Sequence, residues 1–171
     1  MDIYATELGF RTTALRYANV YGPRQSAHGE AGVVAIFCDQ LLRGRCPRIF
    51  GDGAQTRDFV FVGDVVSANL AVLEGDANGV FHVGTAIETS IGALCAMIQR
   101  FTRTNATPIF EPARAGEQRR SSLDARRLTA QTGWRAATSL ADGLAATVAF
   151  FAPHIAATER SRVTQRFCRT G

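Results

Sequence analysis

Short apolar runs alternate with amphipathic stretches along this chain, and that alternation limits the possible folds more than any other feature. The run DFVFV at 58–62 has the β-branched and aromatic content of a strand. From Ile91 to Phe101, apolar residues recur every three or four positions, which predicts a helix that buries one face. Further strands are predicted at 11–17, 47–50, 80–83 and 108–110, and further helices at 1–8, 33–44, 65–74, 124–132 and from 139 onward. Strands and helices in alternation predict an α/β fold, and 171 residues suffice for one domain with its own core.

Polar residues predict where several of these helices begin. Asp64 is placed to cap the helix at 65–74, because a carboxylate can accept the backbone N–H groups that a first turn leaves unpaired. Ser90 and Ser139 precede two later amphipathic stretches in the same way, and Asp142 stands three residues after Ser139. Trp134 directly follows a glycine and is predicted to fill the core.

The last part of the chain differs from the rest. Residues 153–171 lose the apolar period and carry four arginines against one acid, Glu159. We expect one domain at 1–152 and a basic, disordered tail at 153–171. The formal net charge of +4 is therefore concentrated in the tail, which argues against a nucleic-acid-binding body.

Other compositional features narrow the setting. There is no run of about 18 apolar residues, and the N-terminus lacks the regions of a signal peptide, so we expect a cytoplasmic chain without a membrane partner. The four cysteines form no C-x-x-C pair and do not cluster with histidine, so no metal site is predicted. All 19 basic residues are arginine, and the sequence contains no lysine.

A series of motifs in fixed order carries a family resemblance. The motifs are RYANVYGPRQ at 16–25, HGEAGVV at 28–34, IFGDG at 49–53, TRDFVFV at 56–62, FHVGT at 81–85 and RAGE at 114–117. In this order they resemble the C-terminal half of the nucleotide-sugar epimerases and dehydratases of the extended short-chain dehydrogenase/reductase family, and the wording is nearest to UDP-glucose 4-epimerase-like members. The resemblance implies the last strands of a Rossmann domain followed by a small substrate-binding α/β subdomain, without the N-terminal Rossmann half.

The family's catalytic and cofactor motifs do not occur in this sequence. The resemblance implies NAD as cofactor, held by a glycine-rich loop, and a catalytic Tyr-x-x-x-Lys pair. The residues four positions after Tyr4, Tyr17 and Tyr21 are Leu, Tyr and Gln, and no G-x-G-x-x-G occurs. We therefore assign no catalytic residue, expect no self-contained NAD site, and predict that the chain alone is inactive.

The resemblance also implies which residues contact a nucleotide sugar. Arg57 and Arg114 would approach the pyrophosphate, where a guanidinium matches phosphate oxygens. Glu117 would bind the ribose hydroxyls, and Phe50 would lie along the base. The alternatives stay open: an ion pair beside a strand for Arg57, an exposed loop charge for Arg114, a surface carboxylate for Glu117, and a half-buried strand residue for Phe50.

Two further places complete the implied site. Gly32 and Val33 open a helix whose free N–H groups suit a phosphate, or they are simply an uncapped helix start. Asn19 would reach the sugar or its adjoining phosphate, or would make a local turn bond. Tyr17 would lie beside the nicotinamide and is the one predicted cofactor contact.

Three functions fit these observations. The first is the nucleotide-sugar-binding half of an NAD-dependent epimerase, or of a related dehydratase or decarboxylase, that acts on a UDP-hexose. The second is a non-catalytic nucleotide-sugar-binding module, and the third is a gene fragment without a function of its own. A homodimer, or pairing with a separate N-terminal half, would be the expected assembly.

Overall fold

The computed structural model describes residues 2–27 and 32–167. The helices are α1 (Asp2–Leu8), α2 (Val33–Leu42), α3 (Val62–Glu74), α4 (Ile91–Thr102), α5 (Arg126–Thr132) and α6 (Leu140–Phe167). The strands are β1 (Thr13–Tyr17), β2 (Asn19–Tyr21), β3 (Arg48–Phe50), β4 (Thr56–Phe61), β5 (Gly79–Val83), β6 (Glu88–Ser90) and β7 (Ile109–Glu111). The chain thus has the α/β organisation that the sequence predicts.

The strands form three small sheets. β1 and β5 pair in parallel, with Thr13 opposite Gly79. β2 pairs in parallel with β4, which pairs in antiparallel with β6. β3 and β7 form a separate parallel pair. The carboxyl ends of β3 and β7, and the start of β4, provide most of the site described below.

One hydrophobic cluster, the first core, lies among α2, α4, α6 and strands β2 to β4. Its members are buried residues that include Phe37, Leu41, Ile49, Leu94, Ile98, Leu144, Val148, Phe151 and Ile155. Ser90 caps α4 by accepting the Ala93 N–H, as predicted. Phe101 is more than one-third exposed, so the predicted apolar face of α4 is correct only as far as Ile98.

A second cluster, the second core, lies between the β1–β5 sheet and helices α3 and α5. Phe81, Val83, Leu128 and Trp134 are buried in it. The prediction that Trp134 fills the core is confirmed, since its ring is 6% exposed and its Nε1 donates to Ser67 Oγ at 2.9 Å.

The capping role predicted for Asp64 is wrong. α3 begins at Val62, with Phe61 as its N-cap, so Asp64 already lies in the first turn. Its carboxylate instead accepts the backbone N–H groups of Ala137 at 3.2 Å and Thr138 at 3.1 Å. Asp64 therefore joins α3 to the α5–α6 connection.

The structure also differs from the predicted disordered tail. α6 continues to Phe167 and contains Pro153 within the helix. Ile155 is 6% exposed and belongs to the first core, because it continues the spacing of Leu144, Val148 and Phe151 along one helix face. The domain therefore extends past the boundary we drew at residue 152.

The stretch Leu140–Ala157 of α6 is long and apolar enough to cross a membrane by length and composition alone. Four of its residues, Leu144, Val148, Phe151 and Ile155, pack in the first core. A core helix passes the same length and hydropathy test, and this packing accounts for the apolar character of the stretch.

Candidate nucleotide-binding site

The site is built around the end of β3 and the segment 112–123 that follows β7, which we call the strap. Arg114, on the strap, places its guanidinium carbon 3.9 Å from the centroid of the Phe50 ring. This is a cation–π contact. Two residues predicted as ligand contacts from motifs 64 positions apart thus touch each other.

Arg57, near the start of β4, holds the strap from the other side. Its Nη1 donates to the carbonyl oxygens of Thr56 at 2.8 Å and Gln118 at 2.7 Å. Its Nη2 donates to Glu117 Oε1 at 3.2 Å. Arg57 is therefore paired with Glu117 and not with its sequence neighbour Asp58, and the two side chains are 17% and 27% exposed.

Two more arginines of the strap make exposed ion pairs. Arg119 forms a two-bond pair with Asp52, with both distances 2.7 Å. Arg120 pairs with Glu88, which also accepts the Thr56 hydroxyl. The Arg120 and Thr56 hydrogen bonds lower the pKa of Glu88 to about 2, and the Arg119 hydrogen bond lowers the pKa of Asp52.

Asp58 also belongs to this region, and the sequence did not predict its hydrogen-bond partners. It is 1% exposed, and its carboxylate accepts the backbone N–H groups of Thr85, Ala86 and Leu123 at 3.0–3.1 Å. The Thr85 hydroxyl donates to Oδ1 at 2.6 Å. A Cβ atom at Gly84 would lie 2.6 Å from Asp58 Oδ2, so only glycine fits beside this carboxylate. The sequence carried no signal for these contacts, because Thr85 and Leu123 are 27 and 65 residues away.

Gly32 and Val33 lie at the start of α2, as predicted. Gly32 is the N-cap, and among the described residues no side chain caps the first-turn N–H groups of α2. A Cβ at Gly32 would lie 2.4 Å from Gln25 Nε2. Gln25 donates to Val20 O at 2.9 Å and so ties this helix start to β2. Gln25, the last residue of the RYANVYGPRQ motif, is a second residue whose role was missed.

Asn19 and Tyr17 lie at neighbouring strand ends. Asn19 is exposed at the start of β2, opposite Phe59 of β4, and its side chain makes no hydrogen bond with the part of the chain that the structure describes. Tyr17 ends β1, and its hydroxyl shares hydrogen bonds with the Asn69 side chain at 3.0–3.1 Å.

The structure therefore brings four of the predicted residues into two contacting pairs, Phe50 with Arg114 and Arg57 with Glu117. One turn of the strap joins the two pairs, because the Glu117 N–H donates to Arg114 O at 3.2 Å. Val33, at the start of α2, packs against the first core, and Asn19 lies opposite Phe59 in the β2–β4 pairing. Tyr17 lies on the β1–β5 sheet.

Tyr21 is not placed for proton transfer. It is 2% exposed, and burial, followed by the negative charges of Asp64 and Asp142, raises the pKa of its hydroxyl. The hydroxyl lies 3.4 Å from Leu140 O. A phenol with a raised pKa is a poor general base at neutral pH. Among residues 2–27 and 32–167, no group of three or more His, Cys, Asp or Glu side chains could hold a metal ion.

Comparison with known proteins places this site in context. The model of the NAD dependent epimerase/dehydratase family matches residues 1–84. The UDP-glucose 4-epimerase of Mycolicibacterium smegmatis is 52% identical over 136 residues, which are 78% of this chain and 43% of that protein.

Solved structures of UDP-glucose 4-epimerases are also similar to this chain. The UDP-glucose 4-epimerase of Thermotoga maritima with UDP-glucose is 44% identical and superposes with a TM-score of 0.87, covering 90% of this chain and 50% of that one. The Thermus thermophilus UDP-glucose 4-epimerase with NAD is 35% identical with a TM-score of 0.81, covering 88% and 49%. The chain thus spans about half the length of the relatives it matches.

Proposed function

The chain belongs to the NAD-dependent epimerase/dehydratase family, and we propose that it is a nucleotide-sugar-binding half that holds a UDP-hexose. The observation that carries the proposal is the site formed by two contacting pairs, Phe50 with Arg114 and Arg57 with Glu117, which the 114–117 turn joins. It combines an aromatic face, two guanidinium groups and one carboxylate, and these are the groups that a base, a pyrophosphate and a ribose require.

Each side chain has a distinct task in this proposal. Arg57 is already oriented by two carbonyl oxygens and Glu117, so little conformational freedom remains to be lost when it meets a phosphate. Arg114 is exposed and covers one face of Phe50, so a ligand that occupies that face displaces the guanidinium. The carboxylate of Glu117 accepts ribose hydroxyls.

The proposal gives no NAD chemistry to the chain's own residues. A dinucleotide cradle needs a glycine-rich turn between a strand and a helix. At the β4–α3 and β6–α4 junctions the helix starts directly after the strand, which leaves no room for such a turn there. Tyr17 remains the one residue we assign beside a nicotinamide. We propose that the chain alone does not interconvert UDP-glucose and UDP-galactose, and turnover by the purified chain with added NAD would contradict this.

Calorimetry with UDP-glucose tests the binding proposal. We expect the wild-type chain to bind, and Arg114→Ala to weaken binding by tenfold or more, since a hydrogen bond to a charged group is worth about 1.5–3 kcal/mol. Arg100→Ala is the matched control, because it removes the same charge from an exposed position on α4. A folded wild-type sample that gives no heat at millimolar ligand would contradict the proposal.

A further inference from the structure

We infer that Asp58 is a positioning residue for the nucleotide-sugar site: its buried carboxylate fixes the far end of the strap and thereby holds Arg114 and Glu117 in place. The inference rests on the proposed function, because those two residues are its ligand contacts. Asp58 is 1% exposed, so it acts through the strap and does not reach a bound nucleotide itself.

The strap is held at two ends. At its near end β7 pairs with β3, and the Gly51 N–H donates to Glu111 O at 2.9 Å. At its far end the Leu123 N–H donates to Asp58 Oδ2 at 3.1 Å. Arg114 and Glu117 lie between these ends, so their freedom depends on both anchors.

The far end also has the two ion pairs of Arg119 and Arg120. Their exposure to solvent determines how much each pair stabilises the strap. The Arg119 and Asp52 side chains are 62% and 59% exposed, and Arg120 is 76% exposed. Ion pairs in water contribute little, whereas a buried carboxylate bound by several donors leaves those donors unsatisfied when it is lost. Between Glu117 and Leu123 the strap is also held at its backbone, because Arg57 donates to Gln118 O at 2.7 Å and the Thr56 N–H donates to Arg119 O at 3.0 Å. Asp58 is therefore the buried side-chain anchor of the far end, at Leu123.

The same carboxylate ties the strap to the other core. Its partners Thr85 and Ala86 follow β5, which belongs to the second core. A Cβ atom at Gly84 would lie 2.6 Å from Oδ2, so a side chain at this position would displace the carboxylate from the end of β5. Asp58 thus sets the position of the strap relative to both β4 and the end of β5.

The hydrogen bonds of Asp58 indicate which variants would disturb its contact with Leu123 and which would preserve it. In Asp58→Asn the amide nitrogen can face the Thr85 hydroxyl, which accepts as well as donates, while the remaining oxygen keeps the Ala86 and Leu123 N–H groups. In the double variant Asp58→Asn with Thr85→Val, the amide nitrogen loses that acceptor and the Leu123 contact is disturbed. Thr85→Val alone keeps the carboxylate and serves as the matched control.

Two measurements on the full 171-residue chain test the inference: UDP binding by calorimetry and backbone hydrogen exchange without ligand. We expect Thr85→Val to bind UDP within twofold of wild type. We expect the double variant to bind at least tenfold more weakly than Thr85→Val, with faster exchange across 113–123. Unchanged exchange across the strap, or faster exchange with the UDP affinity of Thr85→Val, would overturn the inference.

The melting midpoint separates positioning from a merely structural role, which would lower the midpoint of the double variant without changing its UDP affinity. If the double variant does not fold, Asp58→Asn alone decides: a neutral acceptor binds Leu123 less strongly than a carboxylate, so we expect faster strap exchange and about threefold weaker UDP binding. Wild-type values for both would overturn the inference. If the wild-type chain does not bind UDP, the proposed function fails. The comparison of hydrogen exchange between the variants then still tests whether Asp58 holds the strap.

Discussion

The two cores of this chain differ in how completely they are enclosed. The first core is surrounded by α2, α4 and α6, and Phe37, Leu94 and Leu144 in it are at most 1% exposed. The second core is covered on one side by α5 and Trp134, yet Leu70 and Leu73 of α3 are 50% and 79% exposed.

The open side of the second core forms a connected apolar surface, which we call the open face. Phe10, Leu15 and Tyr17 line one side of a groove of about 780 Å³, and Val72 and Leu73 line the other. Within the described residues, β1 pairs with β5 along one edge and with no strand along the other. Exposed apolar patches are typical of surfaces that interact with other molecules or promote association. The chain therefore encloses its first core and leaves one side of its second core half covered.

The largest effect on the free energy of unfolding is expected from truncating a buried side chain in the first core, compared with an exposed one on the open face. Phe37→Ala removes a buried ring from the first core and should lower the free energy of unfolding by about 3–5 kcal/mol. Leu73→Ala on the open face should change it by less than about 0.5 kcal/mol. Urea unfolding followed by far-UV circular dichroism measures both. Similar losses would mean that Leu73 is covered in solution and that the two regions do not differ.

The second prediction uses probes that each report one core. Trp134 is the only tryptophan and lies in the second core. Cys38 and Cys95 lie in the first, where burial raises the pKa of their thiols to about 12 and about 11. We expect the second core to open with roughly 1–2 kcal/mol less free energy than the first. In a variant with Cys46→Ser and Cys168→Ser, the Trp134 fluorescence transition should precede thiol labelling along a urea series, and coincident transitions would contradict this.

The roles predicted correctly depend on neighbouring residues in the sequence, and most of those missed depend on residues far away along the chain. Ser90 and Trp134 were correct because their roles depend on a neighbouring turn or on apolar character. Asp64 was wrong because its partners at 137 and 138 lie more than 70 residues away, and such contacts outweigh a local capping preference. The Arg57–Glu117 contact is equally long-range, but both residues lie in motifs whose family resemblance already implies a common ligand.

The helix through residues 153–167 was missed for another reason. Pro153 removes a backbone N–H and argues against a helix interior, and the arginines beyond it hide any apolar period. Yet Val148, Phe151 and Ile155 are spaced by three and four, and that spacing could have extended the prediction by one turn.

A smaller effect is expected from polar changes on the open face. Leu73→Gln should reduce the binding of an apolar dye and reduce self-association, because it removes apolar area from the open face. Stability should change by less than about 0.5 kcal/mol. Ile87→Gln is the control, since Ile87 is 67% exposed outside this face. Dye fluorescence and sedimentation measure the outcome, and equal effects of the two changes would show that the open face is not special.

The smallest expected effect concerns the strap, which is held partly by ion pairs, and acid should weaken one of these pairs. Hydrogen bonds from Arg120 and Thr56 lower the pKa of Glu88 from 4.5 to about 2. Because the folded-state pKa lies below the unfolded one, the stability that Glu88 contributes is present above pH 4.5 and is lost as the pH falls toward 2. Glu88→Gln should therefore lower the thermal midpoint slightly at pH 6, and the difference from wild type should disappear near pH 2. Glu74→Gln, which removes one exposed carboxylate at the end of α3, is the control for the change in net charge. A Glu88→Gln difference that stays constant across this range would mean that the ion pair does not hold the strap, and hydrogen exchange at 113–123 would then depend on the buried contacts alone.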